Sequence, residues 1–254
     1  MNKKLFLALP LALSLVACSP KSETNKTDTT VSSASSSSDI AQSTSTSQQE
    51  NTSTEQSMTD PSHQGESSQS STGATFNGSY YSVEGKYGPV IIVNKKHPLS
   101  SSYAPGEIPE AQAAFYQLKA DMKAQGFPIS DSYSGYRSYA YQSEIYQSYV
   151  NQEGQAAADT YSARPGYSEH QTGLAYDFID INGQLLEEPV ASQWLRDNAH
   201  HYGFIVRYLS GKESITGYMA ETWHIRYIGP EATDIYQSGL TLEEYFGVPG
   251  GDYE

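Results

Sequence analysis

Two polymers of different character share this 254-residue chain. Between Ser19 and Gly73, 28 of 55 residues are Ser or Thr and none is aromatic, whereas all 21 tyrosines lie at or beyond Tyr80. A stretch so poor in apolar side chains buries too little surface to offset its chain entropy. This predicts a disordered tether over residues 18–75, with a random-coil reach of roughly 40 Å, and confines folding to residues 76–254. A sticky stalk is the other reading of the same composition, and it would need glycosylation. The second part is long enough for one hydrophobic core, and neither a further low-complexity break nor an internal repeat divides it.

The start of the chain has an address of its own. Lys3 and Lys4 precede an apolar run from Leu5 to Val16, too short to span a bilayer comfortably but matched to an export signal over residues 1–17. The run ends in Leu15, Val16, Ala17 and Cys18, which resembles a bacterial lipobox, where the cysteine is acylated and becomes the first residue of the mature chain. Cys18 is the only cysteine, so no intramolecular disulfide and no cysteine-ligated zinc finger can form. Acyl chains at about 0.8 kcal/mol per buried methylene would suffice to anchor it. The alternative is an ordinary export signal with an incidental cysteine. Formal charge is 15 − 29 = −14, which argues against a nucleic-acid partner, since such surfaces are basic.

Within residues 76–254 the pattern predicts an α+β fold, a single compact domain with a small antiparallel sheet flanked by helices. Pro109 at a first turn, then Ala111, Phe115, Leu118 and Met122 at helical spacing, then Gly126, mark one helix with a start and a stop. A second runs from Ser138, as cap, through Tyr141, Ile145 and Tyr149 to Gly154. A third spans 191–202 and stops at Gly203. Strand-like runs occur at 90–93, 175–179, 204–208 and 222–228. Helices first and strands bunched later favour an antiparallel sheet over alternating βαβ units.

Two of these strands carry the chemistry. Ser168-Glu169-His170-Gln171-Thr172-Gly173-Leu174-Ala175-Tyr176-Asp177 offers an imidazole and a carboxylate seven residues apart. Strand parity would put them on opposite faces, so they converge only if His170 lies in the loop before the strand and Gly173 permits a bend. Glu221, Trp223 and His224 form a second such stretch. Two histidines and an aspartate suit zinc with an open fourth position, and Glu221 beside them could move a proton. Taken singly, each histidine is more often a satisfied core or surface residue than a ligand, and no His-Glu-x-x-His occurs. The residues alone therefore stop at a metal site as one reading. His200 and His201 adjoin near a helix end and suit its dipole rather than a shared metal. His63 falls in the tether, His97 beside Pro98 in a turn, and Arg226 reads as a structural ion-pair partner.

Ser168-x-His170 followed by Gly173-x-Ala175-x-Asp177, then Glu221-x-Trp223-His224, with Ser134-Gly135-Tyr136-Arg137-Ser138 upstream, resembles the zinc D-Ala-D-Ala carboxypeptidase (VanY-like) family. Within it the chain is most similar to LdcB-type L,D-carboxypeptidase lipoproteins, over nearly all of residues 80–254. The resemblance implies a zinc D-Ala-D-Ala carboxypeptidase/hedgehog-like fold and one Zn2+ per chain on His170, Asp177 and His224. It implies Glu221 as general base and acid, and Arg137 as the group that stabilises negative charge or binds the substrate carboxylate. It further implies Gln142, Ser168 and Tyr208 as the lining of a pocket for the terminal D-alanine. For Gln142 the competing reading is a solvated helix residue, for Tyr208 a core tyrosine, and for Trp223 packing under the site. The expected activity is removal of D-alanine from peptidoglycan stem tetrapeptides at the L-Lys-D-Ala bond, leaving tripeptides. A D,D-carboxypeptidase acting on pentapeptides and a non-catalytic wall-binding lipoprotein are the alternatives. The chain is expected to be a monomer, lipid-anchored to the outer leaflet of the cytoplasmic membrane and facing the cell wall.

Overall fold

A computed structural model describes residues 73–253. The expected export signal, Cys18 and its acylation, His63, and the tether up to residue 72 lie outside the described residues. Among the described residues no helix is long and apolar enough to cross a membrane.

Three strands come first: β1 (Thr75–Phe76), β2 (Tyr81–Gly85) and β3 (Gly88–Ile92), paired antiparallel in that order. They correct the expectation that helices precede the strands. Of this sheet only β3 has the apolar run that announces a strand. β2 is half-buried except for the exposed Glu84, and also carries Ser82, so its pairing comes from the tight Gly85–Gly88 connection rather than from hydrophobic alternation.

Helix α1 (Pro109–Ala124) follows, with Pro109 in its first turn, and buries Ala111, Phe115, Leu118 and Met122 as their spacing predicts. Next come β4 (Ile129–Ser134) and α2 (Tyr139–Glu153); Ser138 caps α2 by accepting a hydrogen bond from the Tyr141 backbone N–H at 3.1 Å. The four-residue helix α3 (Gln155–Ala158) leads to a 3-10 turn, Glu169–Thr172, and to β5 (Ala175–Asp180). Helix α4 covers Pro189–Asn198 and gives way to a separate 3-10 turn, Ala199–Tyr202, before β6 (Phe204–Tyr208). The predicted helix over 191–202 is thus two pieces: the last turn tightens, and Gly203 ends it in a left-handed conformation at φ 81°. The short α5 (Glu213–Thr216), strand β7 (Glu221–Tyr227), α6 (Ala232–Ser238) and α7 (Leu242–Phe246) complete the chain.

The second sheet runs β4-β5-β7-β6, and every neighbouring pair is antiparallel. One face carries the core. Phe115 of α1 stacks on Tyr176 at 4.5 Å between ring centroids and tilts against Phe178, with Leu195, Phe204 and Ile225 around them. Strand alternation then forces Asp177, between Tyr176 and Phe178, to the opposite face. It is directly paired there with His224 of β7 and Ser134 of β4. β4 escaped notice in the sequence because it lies at the sheet edge, where Ile-Ser-Asp-Ser-Tyr-Ser can leave polar residues in water.

Candidate active site

His170 belongs to no strand. It sits in the 3-10 turn, and Gly173 follows at φ 71°, so the chain bends before β5 as the parity argument requires. No other residue fits at Gly173, since a Cβ there would overlap the Gly106 carbonyl. The bend brings His170 Nε2 to 3.2 Å from Asp177 Oδ2, while His224 Nδ1 stands 3.0 Å from Asp177 Oδ1.

Glu221 needs a second irregularity. Being three residues from His224, it would face the other way along a regular strand. The β6–β7 register pairs Val206 with Ile225 but Tyr208 with Glu221, so two residues of β6 oppose four of β7. Interrupting the pleat in this way re-aims side chains beside functional sites, and the Glu221 carboxylate ends 3.6 Å from His224 Nδ1.

Both imidazoles are held in one tautomer from behind. The Gly135 carbonyl lies 2.8 Å from His170 Nδ1 and can only accept, so Nδ1 carries the hydrogen and Nε2 faces Asp177. Glu169 Oε2 lies 3.2 Å from His224 Nε2, which fixes that hydrogen and turns Nδ1 into the cluster. Outer partners of this kind orient metal-ligating histidines and raise their basicity. Glu169 is completely buried, and Arg207 and Arg226 reach it at 2.8 and 2.9 Å. Burial by itself would raise its pKa, but the two guanidiniums hold it below the usual carboxylate range.

His170, Asp177 and His224 place one donor atom each within 4.8 Å of one another, all three residues buried. Asp177 Oδ1 is sealed from solvent and accepts no well-aligned hydrogen bond despite the nearby His224 nitrogen. Two imidazole nitrogens and an orphaned carboxylate oxygen fit a zinc ion. Electrostatics agree. Burial disfavours charge on both histidines, and Arg137 adds to this at His170, whose pKa is lowered. At His224 the carboxylates of Asp177 and Glu169 beside the ring overcome burial and push the pKa up to about 9. Without a metal, His224 therefore carries a proton at neutral pH that a cation must displace. Zinc affinity should fall by about tenfold per pH unit as pH drops below 9. Competition with a chromophoric chelator from pH 6 to 9 measures this slope, and a flat profile would contradict it.

These residues line a cleft of about 460 Å³ that also contains Arg137, Gln142, Ser168, Tyr208 and Trp223. All the sequence-predicted site residues of the domain thus converge. Gln142 is buried rather than solvated; its Nε2 donates to the Ala163 carbonyl at 2.8 Å. Arg137 Nη2 is occupied by Asp177 at 2.8 Å and Ser134 at 2.7 Å, while Nη1 makes only a long 3.5 Å contact with Gln142 Oε1. Tyr208 is buried, as its competing reading has it, and still reaches the cleft with its ring 5.0 Å from His224. Trp223 both packs against the core and borders the cleft.

Residues 108–230 match the family described as VanY, D-alanyl-D-alanine carboxypeptidase. The L,D-carboxypeptidase DacB from Streptococcus pneumoniae is 60% identical, with a TM-score of 0.70 over 71% of this chain and 98% of that one. The chain belongs to the VanY carboxypeptidase family. A D-alanyl-D-alanine carboxypeptidase of Enterococcus faecalis is 38% identical over 179 residues, 63% of this chain, which spans 66% of that relative's length. The vancomycin-resistance D,D-pentapeptidase VanY of a VanB-type cassette, solved with Zn(II), is 36% identical with a TM-score of 0.54, covering 61% of this chain and 97% of that one. Among VanY relatives, then, both L,D- and D,D-carboxypeptidases share this fold.

Glu169 and Arg207 escaped the sequence reading as functional residues. The available signals were the position of Glu169 between two site residues and a lone arginine inside the apolar run Phe-Ile-Val-Arg-Tyr. His97 is held by Asn94 Oδ1 at 2.9 Å and His200 by Thr233 Oγ1 at 3.1 Å, so both serve structure, as does Arg226 through Glu169.

Proposed function

We propose that this protein is a zinc L,D-carboxypeptidase that removes the terminal D-alanine from peptidoglycan stem tetrapeptides, cutting the L-Lys-D-Ala bond and leaving tripeptides. The observation that carries it is the 60% identity to an L,D-carboxypeptidase across 98% of that enzyme. His170 Nε2, His224 Nδ1 and an Asp177 oxygen would hold the zinc, which when bound supplies Lewis-acid polarisation of a carbonyl and lowers the pKa of water.

The chain's own residues do the rest. Arg137 presents Nη1 as donor to the substrate's terminal carboxylate or to the oxyanion of the tetrahedral intermediate, Gln142 Oε1 steadies that guanidinium, and Ser168 and Tyr208 shape the wall around the methyl group. Burial pushes the Glu221 pKa up to about 8, so without a metal it is mostly protonated at neutral pH; the charge of a bound cation would bring it back to a carboxylate able to take a proton from the attacking water. Glu221 then returns that proton to the departing amine of D-alanine. Cys18, acylated after export, would hold the domain at the outer leaflet of the cytoplasmic membrane, with the Ser/Thr-rich stretch as tether.

The D,D reading draws on the 38% identical D-alanyl-D-alanine carboxypeptidase. Incubating the zinc-loaded protein separately with tetra- and pentapeptide stems and weighing the products decides between them. Tripeptide from the tetrapeptide is the expected result; loss of alanine from the pentapeptide alone would overturn the L,D reading.

A further inference from the structure

Residues 251–253 are fastened to several segments distant in sequence. The Gly251 backbone N–H donates to the Ile215 carbonyl at 2.6 Å, and Asp252 pairs with Lys95 at 3.0 Å. Tyr253 then inserts between two segments that the cleft uses and Tyr253 does not itself form. Its hydroxyl accepts the Arg164 backbone N–H at 2.9 Å and shares a 3.2 Å hydrogen bond with the Tyr218 hydroxyl. Its ring lies under the Arg164 guanidinium at 3.9 Å, beside Lys95 Nζ at 4.8 Å, and meets the Tyr167 ring edge-on at 5.1 Å.

We infer that Tyr253 is a positioning residue for substrate, fixing the carboxylate end of the pocket through Arg164 and Tyr218. The inference rests on the proposed function, which places the terminal carboxylate against Arg137. Next to Arg164 is Ala163, whose carbonyl accepts the Gln142 amide at 2.8 Å and so aims Gln142 Oε1 at Arg137 Nη1. On the other side, Tyr218 packs on Tyr208 at 5.2 Å, and Tyr208 on His224 at 5.0 Å. Ala163, Gln142, Tyr208 and Tyr218 all line the cleft. The loop that carries Ala163 has other attachments, namely the Arg164–Asp159 ion pair at 2.8 Å and Lys95 Nζ donating to the Asp159 carbonyl at 2.7 Å. Loss of Tyr253 therefore loosens the wall without unfolding it. None of His170, Asp177, His224 or Glu221 touches Tyr253, and His170 and His224 keep their own anchors on the Gly135 carbonyl and Glu169, so the metal site and the proton-transfer group stay in place.

The consequence is a split between kinetic parameters. With zinc-loaded protein and a stem tetrapeptide, Tyr253→Ala should raise KM by about tenfold, the order expected when one hydrogen bond to the substrate is misaligned. Its kcat should stay within twofold and its zinc content at one per chain. Tyr253→Phe keeps the ring between Arg164 and Tyr167, loses only the hydroxyl, and should give an intermediate KM. An unchanged KM in Tyr253→Ala, or a fall of kcat and zinc content alongside the rise of KM, overturns the inference while the proposed function stands. A wild type that frees no D-alanine from either stem peptide overturns that function, and the inference with it.

Discussion

Glu221→Gln should lower kcat for D-alanine release by about 10²- to 10⁴-fold while leaving one zinc per chain. The substitution preserves size and hydrogen-bonding reach but removes the site's proton acceptor, and general acid–base groups contribute on this scale. Glu221 is not one of the three clustered donors, so metal binding should survive; His224→Ala, by contrast, should lose metal and activity together. Steady-state release of D-alanine alongside metal analysis of both variants checks the pair. Turnover of Glu221→Gln within tenfold of wild type would remove Glu221 from the proton path.

Arg207→Met should destabilise the domain by about 3–5 kcal/mol. The Arg207 side chain is sealed from water and bonds Glu169 at 2.8 Å and Glu243 at 2.9 Å, both buried. Removing one member of such a set strands uncompensated charge in a low-dielectric interior, which costs far more than the set contributes against a hydrophobic replacement. Glu243 would keep only the Asn94 amide at 3.1 Å, and Glu169 only Arg226 and His224. In a domain of this size the loss corresponds to a fall in Tm of about 10 °C or more. The double variant Arg207→Met/Glu243→Leu, which removes charge from both sides, should recover part of it. Calorimetry with zinc held constant measures both; a Tm change under about 3 °C for Arg207→Met would contradict the account.

Helices α1 and α2 were legible because their start and stop chemistry is local. Pro109 with the buried 111–115–118–122 face, and Ser138 with Gly154, sit where the structure has them. The strands β2 and β4 were not, since their positions depend on partners distant in sequence and each keeps polar residues on a wet face. At the site, the metal set and Glu221 could be named from motifs. What brings them together could not: the left-handed bend at Gly173 had a visible glycine, but the register shift that turns Glu221 toward His224 exists only once β6 and β7 pair. Glu169 and Arg207 were hidden for a related reason. A charged residue next to a motif residue reads as solvated until the fold shows it has no water to face.

The central claim is that a single zinc on His170, Asp177 and His224 enables this chain to free D-alanine from a stem peptide. It is tested most directly by stripping the protein with a chelator and restoring zinc stepwise while D-alanine release from a stem tetrapeptide is followed. Release should be absent in the stripped protein, rise in proportion to bound zinc, and level off at one ion per chain, with no recovery in His224→Ala. Undiminished release by metal-free protein, or full recovery in His224→Ala, would contradict it.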